Sequence, residues 1–387
     1  MESEYSDIIS FIRKVYHKPE GAINLHEPVF MGNEIKYVND CIASTFVSSI
    51  GEYVNAFETK IAEYTQSVHA IAAVNGTAAL HIALKLAGVR DGDEVVTQPL
   101  TFIATSNAIT YLNAKPVFID VDNDTMGLSS EKLDYFLKKS TRFNRKAGKY
   151  INKKTLRPVS AILPMHTFGN PCRVDEIVEL GDKYSIPVVE DAAESIGSLY
   201  KERHTGTFGK IGVLSFNGNK IITTGGGGMI LTKDEQIARL AKHITTQAKI
   251  SHPWEFSHDQ IGYNYRMPNI NAALGVAQLE MLDEFIKNKR ITGALYKEFF
   301  HNHKIKYFVE PEYSRSNCWL NAVIMESKEE RDLFLKATNS SGIMTRPIWT
   351  LMTKLPMYSN CYREDLTNAI ELQNTVINLP SGYRKEA

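Results

Sequence analysis

From residue 69 onward, short apolar runs alternate with stretches of helical periodicity, and nothing else in the chain restricts its fold as much. Strands are expected at 69–74, 94–97, 115–121, 160–165 and 186–190. Helices are expected between them at 75–89, 101–113, 131–139 and 174–184. Strands that are apolar at nearly every position, each followed by a helix, predict an α/β architecture. Its sheet is mostly parallel and covered by helices on both faces. Ligands in such sheets gather beyond the carboxyl ends of the strands.

Outside this region the pattern is more helical. Apolar positions at Tyr5, Ile8, Ile9, Ile12 and Val15 predict a helix over 5–17 packed on the body. Two more helices are expected after Gly32-Asn33 and after Gly51. Further on, 233–250 and 269–300 read as long helices, the second bridging to a smaller C-terminal α+β unit. That unit has strands at 319–325 and 345–348 and a helix at 328–339. The expected division is 1–23 for the N-terminal helix, 24–275 for the large domain and 276–387 for the small one.

A length of 387 residues suffices for two or three domains. Lysine plus arginine and aspartate plus glutamate both number 44, and this zero balance argues against a nucleic-acid binder. Cys41, Cys172, Cys318 and Cys361 are far apart and read as free thiols, with no metal-type spacing. The start is acidic and then amphipathic, unlike a signal peptide, and no apolar run would span a membrane. A cytoplasmic protein without membrane partners is the expectation. Residues 138–157 carry nine basic and no acidic side chains, a pattern of a solvated loop more often than of a polyanion contact.

Residues 212–229, GVLSFNGNKIITTGGGGM, place Lys220 on a short loop between two strands. Most lysines are solvated. Four consecutive glycines nearby leave the backbone bare for a close approach. A partly desolvated lysine is a nucleophile able to form a Schiff base with an aldehyde.

Four other places could serve such a lysine, each with a plainer reading beside it. Asn75-Gly76-Thr77 follows a strand and opens a helix, which suits a phosphate or an ordinary cap. Asp191 ends a buried strand. It would pair with a protonated pyridine nitrogen, or cap the next helix. Phe102 could stack on a flat ring or belong to the core. Ser215, five residues before the lysine, could reach the same phosphate or bond to backbone. Taken in order, these residues form one constellation that would hold pyridoxal phosphate (PLP), with Asp191 keeping the ring nitrogen protonated and Lys220 shuttling a proton. The chain has neither a GxxxxGK[ST] nor a GxGxxG after a strand, which argues against nucleotide-hydrolase and dehydrogenase folds.

The stretches NGTAALHIAL, PLTFIATSNAI, PVFIDVD, VVEDAAESIGS, GTFGKIGVLSFNGNK, TTGGGGM, GYNYRMPNINAALG and INLPS resemble the DegT/DnrJ/EryC1/StrS sugar aminotransferases, over about residues 28–380. That resemblance implies a three-layer fold-type I PLP transferase. Residue by residue, it implies Lys220 as the Schiff-base lysine and Asp191 as the pyridinium partner. Phe102 would be the stacking residue, and Gly76, Thr77 and Ser215 the phosphate contacts. Asn264 would reach the neighbouring subunit's phosphate, so a homodimer with two shared sites is implied. Glu194 stands close to the ring, where many members have His or Gln. His166 begins HTFG where many read His-Leu-Tyr-Gly. Phe30, Ser48, His166, Arg266 and Arg346 are candidate substrate contacts by position near motif ends, while an ion pair steadying the loop accounts for Arg266 equally well and strand-edge exposure is the simpler account of Arg346.

The implied reaction moves the amino group of L-glutamate, leaving 2-oxoglutarate, to carbon 4 of a nucleotide-linked 4-keto-6-deoxy sugar through the pyridoxamine form of the cofactor. SFNGNKIITTGGGGM and HPWEFSHDQIGYNYRMPN look closest to the LegC-type subgroup, which implies UDP-4-keto-6-deoxy-N-acetylglucosamine. GDP- and dTDP-linked keto sugars stay open. A dehydratase of the same fold is a rival, disfavoured because in those relatives a histidine replaces the lysine. A non-enzymatic regulator would need a DNA-reading appendage or a broken constellation, and the sequence has neither. His166, His252 and His258 lack metal-site spacing, so no metal is expected.

Overall fold

The computed structural model describes residues 5–385. Its centre is one continuous twisted sheet. The strands His69–Ala73, Gly228–Thr232, Ile211–Ser215 and Val189–Asp191 lie side by side in that order, and Val159–Leu163, Glu94–Thr97 and Lys115–Phe118 continue from them. The two blocks join in parallel through Ile162 opposite Val188 and Met165 opposite Asp191. Only Gly228–Thr232 runs opposite in direction to the other strands of this sheet.

The period-2 alternation of strand side chains divides the core. Ile71, Ala73, Ile211, Val213, Ile230 and Val189 face one side, packed with Leu80 and Leu84 of the helix Gly76–Leu86 and Ile237 and Ile244 of the helix Glu235–Thr245. Ala70, Ala72, Leu214, Met229 and Leu231 face the other, against Val54, Phe57 and Ile61 of the helix Glu52–Thr65. Farther along, Val96, Val117 and Ile162 meet the helices Ser130–Lys139 and Val174–Tyr184. Cover on both faces explains why these strands read as apolar throughout.

Three expectations change in detail. The stretch 269–300 is two helices, Asn269–Glu280 and Leu282–Phe300, interrupted at Met281 (φ −103°, ψ −1°). The first packs on the large sheet's helices and the second enters the C-terminal core, so tertiary packing bends a pattern that is locally uninterrupted. The helix over 233–250 ends at Thr245, where the chain turns into an exposed segment. The basic stretch contains a β-hairpin, Thr141–Asn144 with Lys149–Asn152.

The C-terminal unit carries an antiparallel sheet ordered Lys306–Tyr307, Asn321–Ile324, Val376–Leu379, Arg346–Pro347. The first helix, Ser6–Val15, buries Ile8 and Ile12 in this unit's core with Tyr296, Phe334 and Ile377. Among the described residues no helix is long and apolar enough to cross a membrane.

Candidate active site

The strands that run parallel present their carboxyl ends along one edge, and the candidate residues gather there. Asn75 caps the helix Gly76–Leu86 by accepting the Ala78 N–H at 2.8 Å. That leaves the first-turn N–H groups at Gly76 and Thr77 without partners inside the helix. Gly76 lies against Ser215: a Cβ on Gly76 would come 2.9 Å from the serine Cβ. Gly228, paired with Ser215 across the ladder, is equally tight, since its added Cβ would lie 2.6 Å from the Asn75 carbonyl. The two glycines therefore let the helix start close onto the strand ends.

Asp191 ends the strand Val189–Asp191 and pairs in register with Val213, two residues before Ser215. Its Oδ2 accepts from the Thr105 hydroxyl at 2.7 Å and its Oδ1 from the Ala193 N–H at 3.2 Å. Thr101 Oγ1 lies 2.6 Å from Thr105 Oγ1, and since the only Thr105 hydroxyl proton is turned to Asp191, Thr101 donates. Burial raises the pKa of Asp191, opposed by Thr105, Ala193 and the charge of Lys220. Such a buried carboxylate calls for a cation. Phe102 stands three residues before Thr105, as the residue that leads into the helix Ile103–Thr110, with half of its surface exposed.

Lys220 sits on the loop between the antiparallel strands Ile211–Ser215 and Gly228–Thr232, with its N–H bonded to the Asn217 carbonyl at 2.9 Å. Its Nζ donates to Glu194 Oε1 at 3.1 Å and lies 4.0 Å from the centre of the Trp319 ring. Only 12% of the lysine side chain is exposed. The other Glu194 oxygen accepts the Phe168 N–H at 2.9 Å. Phe168 holds a left-handed backbone (φ 58°, ψ 19°) within HTFG, a conformation that aims this N–H. Burial raises the pKa of Glu194, with the Lys220 charge and the Phe168 N–H pulling the other way.

His166 is fully buried, and the structure replaces the expected substrate contact with a contact inside the protein. Its Nε2 lies 3.0 Å from Glu190 Oε2, and its Nδ1 accepts the Cys172 N–H at 3.3 Å. Neither ring nitrogen is left for a ligand. Glu190, on the opposite side of the strand from Asp191, also accepts the N–H groups of Gly206 and Gly209, both at 2.7 Å. Although burial would raise its pKa, His166 and these amides hold it below the ordinary carboxylate value.

Gly76, Thr77, Ser215, Asp191, Glu194 and Lys220 thus share one edge of the sheet. Phe30 and Ser48 are exposed, and the Ser48 carbonyl accepts the Asn269 N–H. Arg346 is exposed at a strand edge and bonds to Asn339 and the Thr345 carbonyl. Arg266 pairs with Ala73 through its backbone, and its buried Nε has no partner among the described residues. Asn264 is exposed, paired with Thr246, and followed by Tyr265, whose carbonyl accepts the Val74 N–H. No cluster of metal ligands occurs among the described residues.

Sequence reading missed Thr105, Trp319 and Asn317. Thr105 had a signal, its helical spacing of three from Phe102. The other two come from the C-terminal unit, where only the folded chain brings Trp319 to the lysine and the Asn317 amide to the carbonyls of Glu194 and Ile196.

The match to the DegT/DnrJ/EryC1/StrS aminotransferase family covers residues 30–385. A GDP-perosamine synthase of Escherichia coli O157:H7 is 38% identical over 359 residues, 93% of each chain. One from Vibrio cholerae is 35% identical over 365 residues, 93% of this chain and 94% of the relative. Among solved structures, the aminotransferase TlmJ from Streptoalloteichus hindustanus superimposes with a TM-score of 0.84 at 25% identity, covering 93% of this chain and 94% of that one. The chain therefore belongs to the DegT/DnrJ/EryC1/StrS aminotransferases, enzymes of fold type I that work with pyridoxal phosphate.

Proposed function

We propose that this enzyme transfers the amino group of L-glutamate to carbon 4 of a nucleotide-linked 4-keto-6-deoxy sugar. The observation that carries the reading is the grouping at one sheet edge of a sheltered amine, a buried carboxylate and a helix start closed onto Ser215. These fit the cofactor. The Gly76–Thr77 turn and the Ser215 hydroxyl would hold its phosphate, Asp191 its ring nitrogen and Phe102 one face of its ring. When bound, the cofactor supplies an electron sink that stabilises a carbanion beside the transferred nitrogen.

The chain's own residues do the rest. Thr105 and the Ala193 N–H orient Asp191, whose carboxylate would keep the cofactor's ring nitrogen protonated. Lys220 Nζ would hold the cofactor and, once freed, would serve as the base and acid that moves a proton in each half of the transfer. Glu194 orients that amine. Exposed apolar side chains at Ile35, Phe46, Ile50, Trp254, Phe256 and Ile261 support a homodimer, with Asn264 reaching the partner's site.

For the nucleotide, two observations favour different substrates. The relatives named GDP-perosamine synthases support a GDP-linked keto sugar. The LegC-like wording of 215–229 and 252–269 supports UDP-4-keto-6-deoxy-N-acetylglucosamine. The deciding experiment gives the purified enzyme L-glutamate and GDP-, UDP- and dTDP-linked 4-keto-6-deoxy sugars, then identifies any product by mass spectrometry and NMR. An amine at carbon 4 on one of them supports the proposal, and amination of none refutes it. Borohydride reduction of the holoenzyme, followed by peptide mapping, checks that the cofactor becomes fixed to Lys220.

A further inference from the structure

We propose that Glu194 and Trp319 form a two-walled seat for the Lys220 amine, and that Trp319, supplied by the C-terminal unit, is a positioning residue for it. The inference rests on the reading of Lys220 as the reacting amine and adds how that amine is kept in place. A lysine side chain free to turn samples many rotamers. Here Nζ meets a carboxylate oxygen at 3.1 Å on one side and the face of an indole, 4.0 Å from its centre, on the other. The first contact is a charge-assisted hydrogen bond. The second is an attraction to the negative face of the ring, strengthened by shelter from water.

The walls are tied to each other and to the lysine loop. Trp319 donates its indole N–H to the Asn219 carbonyl, next to the lysine, at 2.7 Å. Its backbone N–H donates to Asn317 Oδ1 at 2.9 Å. Asn317 in turn donates its side-chain NH2 to the carbonyls of Glu194 and Ile196, both at 2.9 Å. Gly169 makes this possible: a Cβ there would lie 1.9 Å from Asn317 Oδ1. One asparagine thus joins the tryptophan wall to the glutamate wall. Because Trp319 leads into the strand Asn321–Ile324, the seat closes only when the C-terminal sheet is docked. In each half of the transfer the amine has to be released and still stay within reach of the carbon whose proton it moves. A seat with two fixed walls provides this.

The test uses full-length holoenzyme with excess L-glutamate, which leaves the lysine amine free, and brief exposure to acetic anhydride. Peptide mass spectrometry then compares Lys220 with buried Lys289 and exposed Lys233. Trp319→Leu should raise acetylation of Lys220 about tenfold, with Lys289 and Lys233 unchanged. Trp319→Phe, which keeps an aromatic face, should raise it less. In stopped flow, Trp319→Leu should slow the glutamate half-reaction about tenfold at unchanged half-saturation. The proposal is overturned if Lys220 acetylation stays within about twofold of the parent, if Lys289 rises with it, or if only half-saturation changes. Failure of the underlying reading shows separately, as borohydride fixing the cofactor to a residue other than Lys220.

Discussion

Gly76 and Ser215 touch so closely that no other residue fits at position 76 without displacing the serine: an added Cβ would lie 2.9 Å from its Cβ and 3.1 Å from its Oγ. The helix start and the strand end, far apart in sequence, are built as one concave surface. Gly76→Ala should therefore push Ser215 away from the turn and cost about 1–3 kcal/mol of stability. Cofactor affinity should fall with it. Thermal melts with and without added PLP check both effects, and an unchanged gap between the two melts would count against a phosphate role for this surface.

Asp191 carries the prediction about cofactor affinity and pH. Burial raises its pKa in the free protein, and a bound cation on the ring nitrogen favours the ionised form. The bound-state pKa must then be the lower of the two, so binding releases a proton between them. Affinity should rise with pH through that window and level off above the raised value. Asp191→Asn removes the titrating group while keeping its shape, and should weaken binding and flatten this dependence. Spectrophotometric titrations of PLP at several pH values measure both.

His204 makes a second pH prediction, for stability. Burial lowers its pKa from 6.5 to about 4, only partly offset by the Thr205 carbonyl and the Glu190 charge. The neutral ring is fully used, since Nε2 accepts the Gly197 N–H at 2.7 Å and Nδ1 faces the Thr205 carbonyl. The unfolded chain takes up a proton near the ordinary imidazole value, whereas the folded one resists until much lower pH. The contribution is therefore intact above 6.5 and lost as pH falls toward 4, by roughly 3 kcal/mol. Urea unfolding between pH 7 and pH 4 should show this slope, and His204→Gln should reduce it.

The large sheet was legible because burial on both faces leaves an apolar run at each strand, and the helices Gly76–Leu86 and Val174–Tyr184 have distinct periodicity. The positions of Lys220, Asp191 and the Gly76 turn were legible for another reason: each lies at or shortly after a strand end, where the proposed chemistry calls for an unusual residue type. Trp319 and Asn317 could not be read, because their role depends on docking of the C-terminal unit. His166 was misread because a strand-end histidine looks alike whether it faces a ligand or the buried Glu190. The bend at Met281 leaves no local mark, since the apolar positions run through it.

The proposed sharing of each site between two subunits gives the final prediction. Asn264 lies on an exposed segment near Trp254, Phe256 and Ile261, whose side chains are 76%, 82% and 79% exposed. So much apolar surface on one stretch is unusual for a face left in water and suits contact with a second copy. If Asn264 serves the partner's cofactor, a subunit with Lys220→Ala and one with Asn264→Asp are complementary. In the mixed dimer, the Asn264→Asp subunit supplies an intact Lys220 and its partner supplies an intact Asn264, so one site is whole and the other carries both changes. Differently tagged subunits, co-expressed and purified through both tags, should then recover about half of the parent turnover per dimer, although each variant alone is nearly inactive. Were each site built from one chain alone, every site in the mixed dimer would keep one lesion and its turnover would not exceed the mean of the two variants.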